Sequence, residues 1–494
     1  MRRNTVCTAV ALAMASLLFA CGGRGGLGDR ERGGELLNQP ATPLAVVTSE
    51  QLAQTLSATD SGRALLQLAS KPRCGIRFHK IEYRTVGAKG EATNATGALM
   101  LPQGDDPACQ GARPTLLYAH GTAADRSFDI SNPLNKANPG AGEGMILAAF
   151  FAAQGYRVVA PNYAGYDQSR LGYHPYLHAD QSARDMRNAL RAARTAMDQL
   201  GEAAGGALLL SGYSQGGHVA MATQRALQQA GEKEVAAAAP LSGPYALAAF
   251  GDAIFSGRVN AGATVFTPLV VESYQRAYGN LYQAPAQLFA GRYADSVPGL
   301  LPSATPVATL VQQGRLPAAA LFSTEAPAPQ YQALTPPTTP PELAPLFARG
   351  FGSDHLITNA VRRAFLDDLA QNPAAPQNPL RQALARNDLR NWKPSSPVLL
   401  CGGAGDPTVF YGTNTTAMLD YWKDLGSGLV TALDLEAAAT GANDAFAVEK
   451  AGFRATKAQA LQSGGAAGVT AAYHGGLVPP FCVSAARRFF AAHL

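Results

Sequence analysis

A serine between two glycines is the first feature of this sequence that could do chemistry. Ser214 lies in "GYSQG", with Gly212 and Gly216 two residues away on either side. The preceding run "ALLLS" has the composition of a buried strand, and the following "HVAMATQRALQQAG" has the spacing of a helix. Such a turn between strand and helix exposes a nucleophilic hydroxyl. The pattern therefore predicts Ser214 as a nucleophile, although ordinary strand-to-helix turns also use small residues.

A serine hydroxyl needs a base to remove its proton, and a histidine most often supplies it. The chain has eight histidines. His474 is the preferred candidate, because "YHGGLVPP" is a Gly- and Pro-rich loop directly before the last predicted helix, "VSAARRFFAAHL". His355, in "GSDHL", is a weaker alternative.

The base in turn needs a carboxylate that holds its tautomer and stabilises the imidazolium. Asp406 ends the run "PVLLCGGAGD", which predicts it at the C-terminal end of a buried strand. Open α/β sheets carry their functional groups at that end. Asp434, in "TALDLE", and Asp444, in "GANDAF", are alternatives in less favourable positions. We therefore predict that Asp406 orients His474.

A reaction that passes through a tetrahedral oxyanion also needs preorganised N–H donors. The N–H of Gln215, at the start of the helix after Ser214, is one candidate. The loop after "LLYAHG" is placed to supply a second donor, with Thr122 preferred and Gly121 as the alternative. His120 is interpreted as a structural residue of that loop.

Strand and helix patterns alternate around these residues. Residues 76–102 alternate apolar and polar positions around Gly-containing turns, as antiparallel strands do. From residue 114 onwards, short apolar runs alternate with helical spacing, which predicts a mainly parallel sheet with helices on both faces. We expect an α/β core in two parts, residues 46–244 and 395–494. An Ala- and Pro-rich, mainly helical cap over residues 245–394 separates them.

The N-terminus has the features of an export signal. Two arginines precede the apolar segment "VCTAVALAMASLLFA", which is too short for a comfortable membrane span. "LLFAC" resembles a bacterial lipoprotein signal in which Cys21 is lipidated, and an ordinary signal peptide cut nearby is the alternative. Residues 1–21 are predicted to be the signal and residues 22–45 a flexible linker. The predicted location is the bacterial cell envelope, through a lipid anchor in the outer membrane, or outside the cell.

Four cysteines follow the predicted signal: Cys74, Cys109, Cys401 and Cys482. An even number in an oxidising compartment predicts two disulfides, for which three pairings exist. Cys74 with Cys109 and Cys401 with Cys482 is the preferred pairing, because each pair joins segments close in chain order. Buried free thiols are the alternative.

Composition and missing motifs exclude several function classes. The formal charge is +5 and only 15% of the residues are charged, so no nucleic-acid partner is predicted. The sequence contains no HExxH, no Cys/His cluster at zinc spacing, no GxxxxGK[ST] and no dinucleotide fingerprint after the first predicted strand. We therefore predict neither a metal nor a cofactor.

Taken together, "GYSQGG", the "AHG" loop, "GYRVVAPNYAG", "GAGDPTV" and "YHGG" resemble the secreted lipase and esterase branch of the α/β-hydrolases. The resemblance covers residues 76–244 and 395–494, and the order Ser214, Asp406, His474 is that of the α/β-hydrolase triad. It implies a cofactor-free serine hydrolase of carboxylic esters with a helical cap between nucleophile and acid. The long cap and the extra segment before His474 depart from the pattern, so the substrate stays open.

The predicted partner is a small-molecule or lipid-like ester, because the cap is rich in Ala and Leu. A peptidase or an acyltransferase would use the same three residues. A lipoprotein that binds a ligand on an inactive scaffold is a third interpretation. Membrane contact is predicted only through a lipid on Cys21, and the oligomeric state does not follow from the sequence.

Overall fold

A nine-stranded sheet forms the centre of the molecule. The computed structural model describes residues 33–232, 234–441 and 443–494. The strands are β1 (Thr42–Val47), β2 (Gly75–Val86), β3 (Ala92–Gln103), β4 (Thr115–Ala119), β5 (Arg157–Pro161), β6 (Leu208–Tyr213), β7 (Val235–Leu241), β8 (Val398–Gly402) and β9 (Val430–Asp434).

The strand order is β1-β2-β3-β5-β4-β6-β7-β8-β9. The first three strands are antiparallel to their neighbours, and every pairing from β5 to β9 is parallel. All positions of β4, β5, β6 and β8 are buried, as expected for parallel strands covered on both faces. Parallel strands place their carboxyl ends at one edge, and β6 and β8 therefore bring their following loops to the same side.

Helices cover both faces of the sheet. In the first part of the chain they are α1 (Ser49–Ser57), α2 (Asp60–Ala69), α3 (Ala141–Phe150), α4 (Ala179–Gln199) and α5 (Gln215–Gln229). The segment between β7 and β8 contains α6 (Leu247–Phe255), α7 (Ala263–Tyr278), α8 (Tyr293–Ser296), α9 (Val307–Gln312), α10 (Ala344–Ala348), α11 (Asn359–Gln371) and α12 (Pro379–Arg386). The last part contains α13 (Ala417–Asp424), α14 (Ala447–Ala472) and α15 (Val478–Ala491).

Residues 242–397, the helical insertion, have a hydrophobic core of their own. One cluster of buried side chains surrounds the sheet. A separate cluster joins side chains of the helical insertion to Tyr176 and Leu177, which lie before α4. The predicted α/β-hydrolase architecture, a mainly parallel sheet with an inserted helical cap, is thus confirmed.

The predicted linker is too long. Residues 33–45 belong to the fold, because Leu36 is 2% exposed and pairs with Tyr83, and β1 begins at Thr42 at the edge of the sheet. This part of the prediction is wrong, because backbone pairing with β2 places residues 42–45 in a strand at the edge of the sheet. The predicted signal peptide, the lipidation of Cys21 and the first part of the linker lie outside the described residues.

Both expected disulfides are present. Cys74 is bonded to Cys109 and Cys401 to Cys482, which is the predicted pairing. The second bond ties β8 to α15. In the described ranges, no helix combines the length and the apolar character needed to cross a membrane.

Candidate active site

Ser214 stands at the sharp turn between β6 and α5. Its backbone has a φ of 59° and a ψ of −121°, a conformation that residues other than glycine rarely adopt. Its N–H donates to the carbonyl of Leu241 at 2.9 Å, which holds the strained turn against β7. A methyl group on Gly212 or Gly216 would overlap the carbonyl oxygen of Ala119, at the end of β4. The glycines are therefore required by close backbone packing around the serine.

The structure brings Ser214, His474 and Asp406 together. His474 Nε2 lies 2.7 Å from Ser214 Oγ, and His474 Nδ1 lies 2.6 Å from Asp406 Oδ2. A carboxylate only accepts hydrogen bonds, so Nδ1 carries the ring proton and Nε2 accepts from the serine hydroxyl. This tautomer leaves Nε2 free to take the serine proton.

Four donors hold the carboxylate of Asp406, which is 3% exposed. Besides His474, Ser242 Oγ donates to Oδ2 at 3.1 Å, and the N–H groups of Thr408 and Val409 donate to Oδ1 at 2.8 and 3.1 Å. These bonds satisfy the buried charge and fix the orientation of the carboxylate.

The alternative candidates lie elsewhere and have other partners. Asp434 accepts from the N–H of Ala404 and thus anchors the loop that leads to Asp406. Asp444 forms an ion pair with Lys450 at 2.7 Å. His355, in the helical insertion, contacts the carbonyl of Ser353 through its own Nδ1.

His474 occupies a wide helical turn, Tyr473–Leu477, between α14 and α15. The expected loop at this position is therefore wrong in detail, because the chain stays helical after Gly465 breaks α14 with a φ of 62°. Tyr213, the neighbour of Ser214, donates its hydroxyl to the carbonyl of His474 at 2.6 Å. The residue before the nucleophile thus holds the segment that carries the base.

Within the described ranges, two residues whose backbone N–H groups have no acceptor line the same cavity as Ser214. Thr122 and Gln215 both line that cavity, and neither N–H has an acceptor among the described residues. The N–H of Gly121 instead donates to the carboxylate of Glu143 at 3.1 and 3.3 Å. Of the two predicted positions in this loop, Thr122 has the available donor and Gly121 does not.

Two buried histidines support this loop and the turn. His120 lies between the carbonyls of Gly121, at 2.6 Å, and Asn162, at 3.1 Å, and burial lowers its pKa to about 4. His174 contacts the side chain of Gln215 at 2.6 Å, and burial lowers its pKa to about 3. Both rings therefore stay neutral near pH 7 and pack as structural groups.

An apolar cavity of about 90 Å³ lies between the serine and the helical insertion. Ser214, Gln215 and Thr122 form its polar end, with Thr122 Oγ1 at 2.8 Å from the hydroxyl of Tyr176. The opposite wall consists of side chains from α6, α7 and α12. These are Leu247, Phe250, Ile254, Phe255, Phe266, Val270, Val271, Leu380 and Leu384.

Sequence reasoning missed several residues that hold the site. Ser242 follows β7 and could have been suspected only from its place at the carboxyl end of a neighbouring strand. Glu143 lies in no motif, and Tyr213 and Tyr473 lie inside "GYSQG" and "YHGG" without a pattern that gives the tyrosines a role. In the described part of the chain, no group of three His, Cys, Asp or Glu side chains is arranged to hold a metal ion.

Solved structures with this architecture include esterases. A ligand-bound form of the rice cell wall degrading esterase LipA from Xanthomonas oryzae is 27% identical, matches over 92% of this chain and 97% of its own, and gives a TM-score of 0.67. Another crystal structure of the same esterase is 28% identical over 87% of this chain and 98% of its own, with a TM-score of 0.64. A Legionella pneumophila protein, 20% identical over 93% and 98% of the two chains with a TM-score of 0.63, supports the fold alone. No protein-family model and no curated protein matches the chain.

Proposed function

Because the chain is an α/β-hydrolase of the lipase and esterase type, we propose that it hydrolyses carboxylic esters through an acyl-enzyme on Ser214. The observation that carries the proposal is the pair of hydrogen bonds that joins Ser214 through His474 to Asp406. A serine, a histidine and a carboxylate in this order are the parts of a nucleophilic triad.

Acylation uses the groups around the serine. Ser214 Oγ attacks the ester carbonyl carbon while His474 Nε2 takes the hydroxyl proton, and Asp406 stabilises the imidazolium. The N–H groups of Gln215 and Thr122 donate to the oxyanion. The imidazolium then gives its proton to the departing alcohol, and the acyl group stays on Ser214.

Deacylation repeats the sequence with water as the nucleophile. His474 Nε2 removes a proton from the water, which attacks the acyl carbonyl carbon, and the same two N–H groups hold the second oxyanion. Collapse of this intermediate returns the proton to Ser214 and releases the carboxylic acid. No group other than these side chains and water is needed to balance the reaction.

The cavity indicates the part of the substrate that enters. Its wall of Leu, Val, Ile and Phe side chains suits an acyl chain, and its polar end places the ester carbonyl beside Ser214. At about 90 Å³ it is well below the ~300 Å³ at the lower end of typical ligand sites. We expect p-nitrophenyl butyrate to be hydrolysed faster than the palmitate ester.

Replacement of the nucleophile tests the proposal. Ser214→Ala should lower kcat on p-nitrophenyl butyrate by a factor of about 10⁴ or more, because the covalent route is lost. Ser211→Ala is a matched control, since Ser211 lies three residues earlier on the buried strand β6 and its hydroxyl donates to the carbonyl of Ala239. The control should keep kcat within about twofold, because it loses only one hydrogen bond. Undiminished turnover by Ser214→Ala would refute the mechanism.

The wild-type protein and Ser214→Ala also separate the competing interpretations of the function. A fluorophosphonate probe should label the wild-type protein and leave Ser214→Ala unlabelled, whereas a protein that only binds its ligand would not react. Efficient peptide cleavage with inert esters would favour a peptidase. Transfer of the acyl group to an added alcohol in preference to water would favour an acyltransferase.

The location of the protein is part of the proposal. Two disulfides support an oxidising compartment outside the cytoplasm. The finer proposal, a lipid on Cys21 that anchors the chain in the cell envelope, depends on the sequence alone. Metabolic labelling with a fatty-acid analogue would detect that lipid, and its absence from the exported chain would refute the anchor.

A further inference from the structure

A carboxyl group without a cationic partner lies behind the loop that carries Thr122. Glu143 is in the first turn of α3, and its Oε1 accepts from the hydroxyl of Tyr118 at 2.8 Å. The N–H of Gly121 donates to Oε1 at 3.1 Å and to Oε2 at 3.3 Å. No Lys, Arg or His of the described residues contributes to the ionisation of this group.

The environment makes the charged form of Glu143 costly. Burial raises its pKa to about 7, and the bonds from Tyr118 and Gly121 offset only part of the effect. Buried carboxyl groups without a cation are disfavoured unless their hydrogen bonds serve the structure or the reaction. The proposed reaction gives this group no proton to carry, so its contacts have to explain its presence.

The carboxyl group and the nucleophile both lie close to Gly121. A Cβ atom placed on Gly121 would lie 3.8 Å from Glu143 Oε2 and 3.9 Å from Ser214 Cβ. Gly121 therefore lies close to both the carboxylate and the serine. Any movement of Gly121 would change the space in which the ester carbonyl has to sit.

Both polar backbone groups of Gly121 are held. Its N–H donates to Glu143, and its carbonyl lies 2.6 Å from Nδ1 of His120. A neutral imidazole carries one N–H, and the shorter of the two carbonyl contacts of His120 assigns it to Nδ1, which then donates to Gly121. The carbonyl of Gly121 and the N–H of Thr122 belong to one planar trans peptide, in which they point in opposite directions. When Glu143 holds the N–H of Gly121 and His120 holds its carbonyl, the direction of the N–H of Thr122 is therefore fixed as well.

We propose that Glu143 is a positioning residue, which clamps the N–H of Gly121 and so keeps the N–H of Thr122 aimed at the oxyanion. This inference rests on the proposed esterase function. Glu143 does not touch the substrate, and it acts through the loop that does. Its loss should weaken binding of the transition state and leave binding of the ester in the ground state unchanged.

The test compares two substitutions of Glu143. Glu143→Met keeps the length of the side chain and removes both acceptors, so kcat should fall by about tenfold to a hundredfold, less than the factor of about 10²–10³ for loss of an oxyanion donor itself. KM should stay within about twofold, because the ground state does not use the clamp. The inhibition constant of butylboronic acid, which forms a tetrahedral adduct with the serine, should rise in parallel with the loss of kcat.

Glu143→Gln keeps one acceptor oxygen for the N–H of Gly121. Its kcat should remain within about fivefold of the wild-type value, because a neutral acceptor replaces a charged one. If Glu143→Met does not accumulate as folded protein, Glu143→Gln still tests the clamp, because a fall of kcat well beyond fivefold would contradict it. A kcat as low as that of Ser214→Ala would overturn the clamp, because the charge and not the acceptor would then be required.

Asp185 provides a matched control. It is buried, it accepts from a tyrosine hydroxyl, Tyr83, at 3.1 Å and from a backbone N–H, that of Ala164, at 2.8 Å, and burial raises its pKa to about 6. Asp185→Leu should lower Tm as Glu143→Met does and leave kcat within about twofold, since buried partners are unsatisfied in both variants. An equal loss of kcat in the control would overturn the inference, because a general loss of packing would explain both.

The outcomes separate this inference from the proposed function. If Ser214→Ala retains ester turnover, the esterase proposal fails and the role of Glu143 fails with it. If Ser214→Ala is inactive and folded Glu143→Met keeps the wild-type kcat, only the role of Glu143 is refuted.

Discussion

At the scale of the residue, the turn at Ser214 depends on neighbouring glycines, because a Cβ atom at their positions would collide with other parts of the backbone. Gly216 lies against the carbonyl oxygens of Ala119 and His120, and Gly217 lies against that of Leu241. All of these neighbours are backbone atoms, which cannot rotate away as a long side chain can. The strained φ of Ser214 is therefore maintained by contacts between three chain segments, and the glycines make those contacts possible.

Gly216→Ala tests this dependence. The added methyl group has no space, so the free energy of unfolding should fall by about 2 kcal/mol or more. Gly142→Ala is the matched control: both glycines are the second residue of a helix, and a Cβ on Gly142 meets nothing within 4 Å. The control should be stabilised by about 0.5–1 kcal/mol, the usual gain for replacing a helical glycine. Urea unfolding measures both changes, and equal effects would contradict the packing argument.

Local patterns determined how far the sequence could predict the site. Ser214, Asp406 and His474 each follow a recognisable local signal, and the structure places them within hydrogen-bond reach of one another. The contact between Glu143 and Gly121 left no such signal, because it depends on how a loop folds back onto α3. Long-range contacts of this kind follow from the fold and not from spacing along the chain.

At the scale of the element, the helical turn that carries His474 is tied to the loop that carries Asp406. The hydroxyl of Tyr473 donates to Glu436 and accepts from the N–H of Gly405 at 3.2 Å. Lys457 on α14 pairs with Glu436 at 2.8 Å. Burial would raise the pKa of Glu436, but the bonds from Lys457 and Tyr473 outweigh it and lower that pKa. The result is a charged anchor between β9 and the active-site loops.

Tyr473→Phe should loosen this connection without emptying the core. The ring remains and the hydroxyl is lost, so kcat should fall by about twofold to tenfold, the value of one net hydrogen bond. Tyr331→Phe is the control, because Tyr331 also donates to a carboxylate, that of Asp367 at 2.7 Å, but in the helical insertion. Steady-state kinetics on a soluble ester measures the difference. A kcat unchanged in Tyr473→Phe, or lowered equally in the control, would refute the role of the hydroxyl.

The elements were predicted unevenly from the sequence. The parallel strands and the last helix were expected from short apolar runs and helical spacing, and they are present. The first four residues of β1 were assigned to a linker, because most of the strand's side chains are exposed and it is held in place by pairing with β2. The turn at His474 was expected to be a loop, because Gly and Pro normally end helices, whereas here the chain remains helical through Gly475 and Gly476.

At the scale of the whole molecule, the sheet is built from two distant parts of the chain. β8 and β9 follow the helical insertion and complete the sheet beside β7. The Cys401–Cys482 disulfide closes this returning part over a separation of 81 residues, and both Asp406 and His474 lie inside the loop it closes. The Cys74–Cys109 disulfide closes a separation of 35 residues far from them in sequence.

Removing each disulfide tests the effect of loop size. The entropy of closing the two loops predicts how much the free energy of unfolding falls when each bond is removed. The fall is about 4.5 kcal/mol for Cys401→Ala with Cys482→Ala and about 3.8 kcal/mol for Cys74→Ala with Cys109→Ala. The two double variants are matched in chemistry, and all four cysteines are buried. Denaturant unfolding in parallel measures both losses. A larger loss of stability for the smaller loop would show that local packing around the cysteines, and not the entropy of the unfolded chain, determines how much each disulfide stabilises the protein.

The hydrophobic cluster of the helical insertion and the cluster around the sheet allow substrate range and heat resistance to change independently. The apolar wall of the cavity comes from the helical insertion, whereas the packing that holds the sheet together belongs to a different set of side chains. Substitutions in groups that share no contacts add their effects on stability. An evolving lineage, or an engineer, could therefore reshape the acyl wall by successive substitutions in α7 and α12 and leave the scaffold that holds the nucleophile unchanged, whereas Phe250 of α6 also packs against Phe410, in the loop that follows Asp406.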